Sequence, residues 1–253
     1  MNDAGITRRV RAYLNAGILD GGVVIERVEG TPQGGPLSPL LANVLLDEVD
    51  RELERRGHCF ARYADDCNVY VRSQKAGERV MRLLRRCYDR LHLKINESKS
   101  AVAPVFGRKF LGYALWQART GEVRRGVSAQ ALDAFRHRVR HLTRRNGGRC
   151  MEEVIERLRC YLLGWKGYFG LAQTPSVWRR LDEWIRRRLR ALQLKQWRRG
   201  TTIYRELLRL GASPRVAQSV AALSRRWWHN SLSAVHHVLT IAYFDRLGLP
   251  RLS

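Results

Sequence analysis

The spacing of apolar residues changes character near residue 125, and that change limits the folds open to this chain. Beyond it nearly every apolar residue recurs at three- and four-residue steps. Leu132, Phe135, Val139 and Leu142 form one stripe; Val154, Leu158, Tyr161, Leu162 and Trp165 form a second; Leu181, Trp184, Ile185, Leu189 and Leu192 form a third, opened by Thr174-Pro175 as cap and first turn. Three amphipathic helices can bury one another, so an all-α bundle is expected, with Tyr161, Trp165 and Phe169 in its core. Ser213-Pro214 starts a further short helix, and a closing segment from Val235 to Phe244 stops at Gly248-Leu249-Pro250.

Before residue 125 the pattern is mixed. Residues 6 to 17 read as a short basic helix, followed by a strand-like Val23 to Val28 and a Gly/Pro-rich loop from Gly30 to Pro36. Ser38 is expected to cap the next helix, with Pro39 in its first turn, apolar residues Leu41, Leu45, Val49 and Leu53 at four-residue steps, and Gly57 as its stop. Residues 58 to 63 and 67 to 71 form two β-prone runs around Ala64 to Asp66, which is a hairpin pattern. Ala76, Val80, Leu83, Leu84, Cys87 and Leu91 mark one face of a helix that hands over to a strand-like Leu93 to Asn96. Short strands follow from Val102 to Val123, including Phe110-Leu111-Gly112-Tyr113. The fold class expected is α+β: short antiparallel strands with helices over residues 1–124, then an all-α region over residues 125–253.

The 253 residues carry 47 Lys+Arg against 23 Asp+Glu, a formal charge of +24. Clustered cations gain from displacing the counterions of a phosphate backbone, so nucleic acid is the expected partner. Residues 1–121 have a net charge of +6 and residues 122–253 a net of +18, which makes the second half the main grip. Arg179, Arg180, Arg186, Arg187, Arg198 and Arg199 are its candidate RNA contacts. The longest apolar stretches, Leu40 to Leu46 and Val238 to Ile241, fall far short of the roughly 20 residues of a membrane span, and no secretion signal is read at the N-terminus. A cytoplasmic location without membrane association is expected. The five cysteines form no C-x-x-C pair, which suggests buried free thiols in a reducing compartment and no zinc.

Asp65 and Asp66 carry the chemistry. Two adjacent carboxylates at a tight hairpin tip repel each other, an arrangement that a divalent cation, Mg2+ above all, would relieve. The rigid β-prone runs on either side would project them from a fixed platform.

Tyr63-Ala64-Asp65-Asp66 resembles the signature turn of reverse transcriptases, and other blocks fit in order. Gly30-Thr31-Pro32-Gln33-Gly34-Gly35-Pro36-Leu37-Ser38-Pro39 is similar to the loop and helix start beside the nascent base pair. Asn96 with Lys99 resembles the motif after the catalytic hairpin, and Phe110-Leu111-Gly112-Tyr113 the primer-grip block. Tyr161-Leu162-Leu163-Gly164-Trp165-Lys166-Gly167-Tyr168-Phe169 resembles the thumb, or maturase, region of group II intron-encoded proteins, and the tail from Ala242 to Pro250 the end of bacterial members without an endonuclease module. The resemblance implies a partial polymerase palm over residues 1–124 and a thumb/maturase helical region over residues 125–253. It further implies Asp65 and Asp66 as catalytic Mg2+ ligands. Gln33, Gly34, Gly35, Tyr63 and Lys99 would lie around the substrate, and Phe110 to Tyr113 at the primer. The partners implied are intron RNA, a template, an RNA/DNA hybrid and deoxynucleoside triphosphates.

In that family an earlier strand supplies a further aspartate before the Gly30 block. Here only Asp3 and Asp20 precede it, and neither lies in an apolar β-run. The expectation is a C-terminal part of such a polymerase, inactive alone and completed, if at all, by a separately encoded N-terminal half. The alternative is a non-catalytic RNA-binding maturase-like protein. DNA cleavage is not expected.

Overall fold

Asp3 starts the first helix. Its carboxylate accepts from the backbone N–H groups of Gly5 and Ile6 at 2.7 and 3.0 Å, which makes Asp3 the N-cap of α1, Ala4–Asn15. The computed structural model describes residues 3–16, 18–20, 23–25, 35–232 and 234–253. Within these the chain forms two compact units, residues 1–103 and 104–253. The division lies ahead of residue 125, where charge and periodicity change.

In the first unit, β1 (Ile18–Asp20) pairs antiparallel with β2 (Val23–Ile25), the described part of the expected strand. The helix α2 spans Ser38–Arg55. Ser38 is not its cap: the turn that closes between the Gly35 carbonyl and the Ser38 N–H already starts the helix, Leu37 takes the cap position, and Ser38 is the first helical residue. Gly57 ends α2 as expected. Its φ of +70° allows Gly57 and His58 to donate back to the carbonyls of Glu54 and Leu53, a Schellman closure. Next come β3 (Cys59–Tyr63) and β4 (Asp66–Tyr70), an antiparallel hairpin with Phe60 opposite Val69 and Tyr63 opposite Asp66. Ser73 caps α3, Gln74–Arg90. Leu46, Val49 and Leu53 of α2 meet Val80, Leu83 and Cys87 of α3, and Phe60, Cys67 and Val69 pack on that small core. Gly77 lets Val102 approach so closely that a Cβ would meet its Cγ1 at 2.5 Å. Residues 93–96 are not a strand; a β-prone run with no ladder partner among the described residues is left as a connecting segment that ends in a turn.

In the second unit, β5 (Lys109–Phe110), β6 (Tyr113–Gln117) and β7 (Val123–Val127) form an antiparallel meander. The helices follow: α4 (Ala129–Leu142), α5 (Met151–Phe169), α6 (Pro175–Trp197), α7 (Gly200–Arg209), α8 (Pro214–Ala222), α9 (Trp227–Asn230), a 3-10 turn at Ala234–His237 and α10 (Ile241–Arg246). All three expected stripes face one core, where Phe135, Leu158, Leu162, Ile185 and Leu189 lose essentially all solvent exposure. Trp165 lies 4.2 Å from Phe135 and 4.8 Å from Phe169 between ring centroids, so these aromatics are core, as expected. Thr174 occupies the N-cap position of α6, but its side-chain hydroxyl accepts from no backbone N–H of the helix. The closing segment is two elements rather than one, because Thr240 caps α10 and interrupts it. Cys59, Cys150 and Cys160 are exposed and only Cys87 is fully buried, so the expectation of buried thiols fails for three of the five.

Candidate functional site

The β3–β4 hairpin places the two aspartates differently. Ala64 and Asp65 are the two central turn residues, whereas Asp66 is the first residue of β4 and pairs with Tyr63. Only Ala64 of the two turn residues has positive φ, at +53°, a conformation in which an L side chain is strained. Tyr63, Asp65 and Asp66 are all exposed at this tip.

Arg62 holds the strained tip. It lies on the core-facing side of β3, opposite Cys67, and its guanidinium reaches back to α2. Arg62 Nε donates to both oxygens of Asp50 at 2.9 Å and Nη2 to Asp50 Oδ2 at 2.5 Å, while Nη1 donates to Asn43 Oδ1 at 2.8 Å. The same Nη1 donates to the carbonyl of Ala64 at 3.0 Å, so one planar fork ties the turn to one helix. The hydrogen bonds that Arg62 donates to Asp50 raise its pKa above the ordinary value. Burial, with a smaller push from the Asp50 charge, raises the neighbouring Cys67 thiol to about 11. The sequence reading passed over Arg62, Asp50 and Asn43. The available signal was an arginine inside a β-prone run, directly before the aspartate turn.

The remaining expected substrate residues are placed in part. Gln33 and Gly34 lie outside the described residues; Gly35 lies in the turn just ahead of α2, its carbonyl accepting from the Ser38 N–H. Lys99 is exposed on a turn that Asn96 organises, its side-chain oxygen accepting from Ser98 Oγ at 2.7 Å and from the Lys99 N–H at 3.2 Å. Asn96 is therefore a turn former, and Lys99 is the residue it presents. Asp65 and Asp66 are two carboxylates, and among the described residues no three His, Cys, Asp or Glu side chains converge as a metal site needs. The described donor set thus falls short of a complete divalent-cation site.

In the second unit, Phe110-Leu111-Gly112-Tyr113 is a hairpin turn rather than a strand. Leu111 and Gly112 have φ of +51° and +76°, which forces the reversal, while Phe110 pairs with Tyr113. Tyr113 Oη donates to the Tyr168 carbonyl at 2.6 Å and Tyr168 Oη donates to the Leu111 carbonyl at 3.0 Å. These reciprocal bonds clasp the turn to the end of α5. A Cβ on Gly112 would sit 3.0 Å from Phe169 Cζ.

The candidate RNA arginines do not behave alike. Arg179, Arg180, Arg198 and Arg199 are exposed. Arg186 is not available to RNA: its side chain is 4% exposed and pairs with Asp182 at 3.3 Å and Asp245 at 3.5 Å. Asp182 also accepts from the N–H groups of Leu252 and Ser253, so Arg186 belongs to the network that seats the chain's last residues. Arg187 is half-buried, with its guanidinium 3.8 Å from the Trp228 ring centroid.

Residues 6–115 match the reverse transcriptase (RNA-dependent DNA polymerase) family, and residues 132–211 the group II intron maturase-specific domain. The first match ends beyond the Phe110–Tyr113 hairpin, inside the second compact unit. Among curated proteins the chain is similar to Protein YkfC of Escherichia coli K12, at 28% identity over 49% of this chain and 42% of that protein. It is also similar to the retron Ec86 reverse transcriptase of Escherichia coli, at 28% identity over 44% of this chain and 35% of that protein. A shorter stretch is 41% identical to the group II intron-encoded protein LtrA of Lactococcus lactis subsp. cremoris, covering 20% of this chain and 8% of that protein. The chain therefore spans less than half the length of each of these relatives. Among the described residues no helix is long and apolar enough to cross a membrane. With both matches falling in order along one chain, on the blocks around Asp65-Asp66 and on the helical bundle, the protein belongs to the group II intron-encoded reverse transcriptase/maturase family.

Proposed function

We propose that this chain contributes Asp65 and Asp66 to the Mg2+-dependent nucleotidyl-transfer site of an RNA-directed DNA polymerase, and grips RNA through its helical unit. The carrying observation is the fork of Arg62, which fixes an exposed carboxylate turn to α2 through Asp50, Asn43 and the Ala64 carbonyl. A turn that serves only as a chain reversal has no need of a three-partner clamp; a turn whose carboxylates must meet a cation and a triphosphate does. On this reading Gln33, Gly34, Gly35, Tyr63 and Lys99 approach the incoming nucleotide and Phe110 to Tyr113 the primer end, with template RNA and the hybrid as macromolecular partners in the cytoplasm.

The chain acts as part of a site. Two carboxylates are fewer than two-metal phosphoryl transfer uses, so purified alone it is expected not to extend a DNA primer on an RNA template. A second polypeptide carrying a palm aspartate would complete it. Primer extension with the chain alone, and with such a polypeptide added, is the test. No product alone, and a product on addition that Asp65→Asn abolishes, is the expected result; Mg2+-dependent extension by the chain alone overturns the incomplete-site reading. A second reading, RNA binding without catalysis in aid of intron splicing, is favoured by the concentration of charge: residues 122–253 hold 27 Lys+Arg against 9 Asp+Glu. Structured RNA bound with no loss of affinity as salt rises would sink the phosphate grip that both readings share.

A further inference from the structure

Some cations of the helical unit, Arg157 and Arg159 among them, pair with a carboxylate; among those that pair with none, one group gathers around indole rings. Arg140 in the last turn of α4, Arg145 in the turn that follows it, and Arg187, Arg188 and Lys195 on α6 make no ion pair with any carboxylate among the described residues. Glu183, one turn before Arg187, leaves it unpaired. Indole rings stand between these cations instead. Arg140 and Arg188 lie 5.8 and 5.4 Å from the Trp184 ring centroid, Arg145 and Lys195 lie 5.8 and 5.2 Å from that of Trp227, and Arg187 stacks at 3.8 Å on Trp228.

The arrangement is costly as it stands. Arg188 donates Nε to Thr143 Oγ1 at 2.8 Å but is half-buried, and burial together with the Arg145 and Arg140 charges lowers its pKa. Like charges gathered on low-dielectric rings lose hydration without gaining a counter-charge, which is the condition a polyanion relieves. Helix packing keeps the cations in place, since Trp184, Arg188 and Lys195 recur at helical spacing along one side of α6. Trp228 is 38% exposed, leaving part of its ring open beside Arg187. An open cleft of about 540 Å³ lined in part by Arg144, Arg149, Trp197 and Tyr243 shares Arg145 with this face.

We propose that the face formed by the C-terminal end of α4, the Trp184 to Lys195 side of α6, and α9 is a site for single-stranded RNA, in which indole-backed cations take successive phosphates and Trp228 stacks a base. The proposal rests on the RNA-binding reading above and gives it a location and a strand preference. A duplex would engage the cations but offers no unstacked base to Trp228, so the ring distinguishes the two forms.

The test is fluorescence anisotropy of the full chain with a labelled oligouridylate and with an RNA duplex of equal length, titrated in salt. Arg145→Gln/Lys195→Gln is expected to reduce the slope of log affinity against log salt by about 1.4 on the single strand, two contacts at about 0.7 each. Arg157→Gln/Arg159→Gln on α5, which removes two cations already paired with Glu153 and Glu156, is expected to leave the slope unchanged. Trp228→Ala is expected to weaken oligouridylate binding about fivefold or more, with the duplex unaffected and Trp228→Phe restoring most of the loss. Equal slope loss in the two double variants, or equal weakening of single strand and duplex by Trp228→Ala, overturns the proposal while the RNA-binding reading stands. Salt-independent or absent binding by the unaltered chain overturns that reading itself.

Discussion

Two hairpin turns, one in each compact unit, are held by opposite means. Ala64-Asp65 is fixed by charge, through the Arg62 fork on Asp50 and Asn43; Leu111-Gly112 is fixed by aromatic packing and two neutral hydrogen bonds, through Tyr113, Tyr168 and Phe169. Both place a non-glycine residue at positive φ, so both need an external hold. The difference follows from what lies underneath. Among the described residues the first unit has a core of six buried apolar side chains and leaves Leu40 and Val44 more than half exposed, so orientation there depends on directional bonds. The second unit has a continuous aromatic core on which a turn can simply pack.

The largest expected effect comes from breaking the charged hold. The side chains of Arg62 and Asp50 are 11% and 19% exposed, so Arg62→Ala leaves Asp50 largely buried without its partner. The cost is about 3 kcal/mol, at the lower end for a buried pair because both groups retain some solvent. Peptide-resolved hydrogen exchange should show protection lost across residues 59–70 and unchanged across 109–117. Arg62→Lys should recover only part, since an ammonium cannot bridge Asp50, Asn43 and the Ala64 carbonyl in one plane. Unchanged protection at residues 59–70 in Arg62→Ala would mean that the fork orients nothing.

These two holds also show where sequence reading succeeds and stops. The hairpin about Ala64 to Asp66 and the three helical stripes are legible because they are local, each set by residues within two turns of one another. Arg62 was missed because its partners lie 12 and 19 residues away on another element, and nothing in the chain between them marks the pairing. Arg186 and Arg187 look identical in sequence, yet one residue of helical rotation buries the first on Asp182 and turns the second towards Trp228. The helix α7 went unread because Gly200-Thr201-Thr202 is a poor helical start, overridden when Ile203 and Leu207 bury completely. Leu93 to Asn96 has strand composition but no partner edge among the described residues, which composition cannot reveal.

The aromatic hold should yield to a smaller change. Gly112→Ala forces an L residue to φ of +76° and presses its Cβ to 3.0 Å from the Phe169 ring, a cost of about 2 kcal/mol. The exchange pattern should reverse, with protection lost at residues 109–117 and retained at 59–70. If Gly112→Ala leaves both regions as they were, the turn has room to relax and the contact with Phe169 is incidental.

The smallest expected effect has the opposite sign and isolates the backbone contribution from the hold. Ala64 at φ of +53° bears a left-handed penalty of about 1–2 kcal/mol, and glycine would remove it while giving back about 0.5–1 kcal/mol of unfolded-chain entropy. Ala64→Gly should therefore stabilise by about 0.5 kcal/mol, because the exposed methyl contributes little packing and the Arg62 bond goes to the backbone carbonyl, which glycine keeps. Leu111→Gly relieves the same strain at φ of +51° but also removes a side chain that is 38% exposed and otherwise covered, so its gain should be offset. Urea midpoints at constant m-value separate the two. A rise for Ala64→Gly alone supports a first turn held through its backbone and a second held through side chains as well. Equal rises would reduce the contrast between the two turns to the Arg62 fork alone.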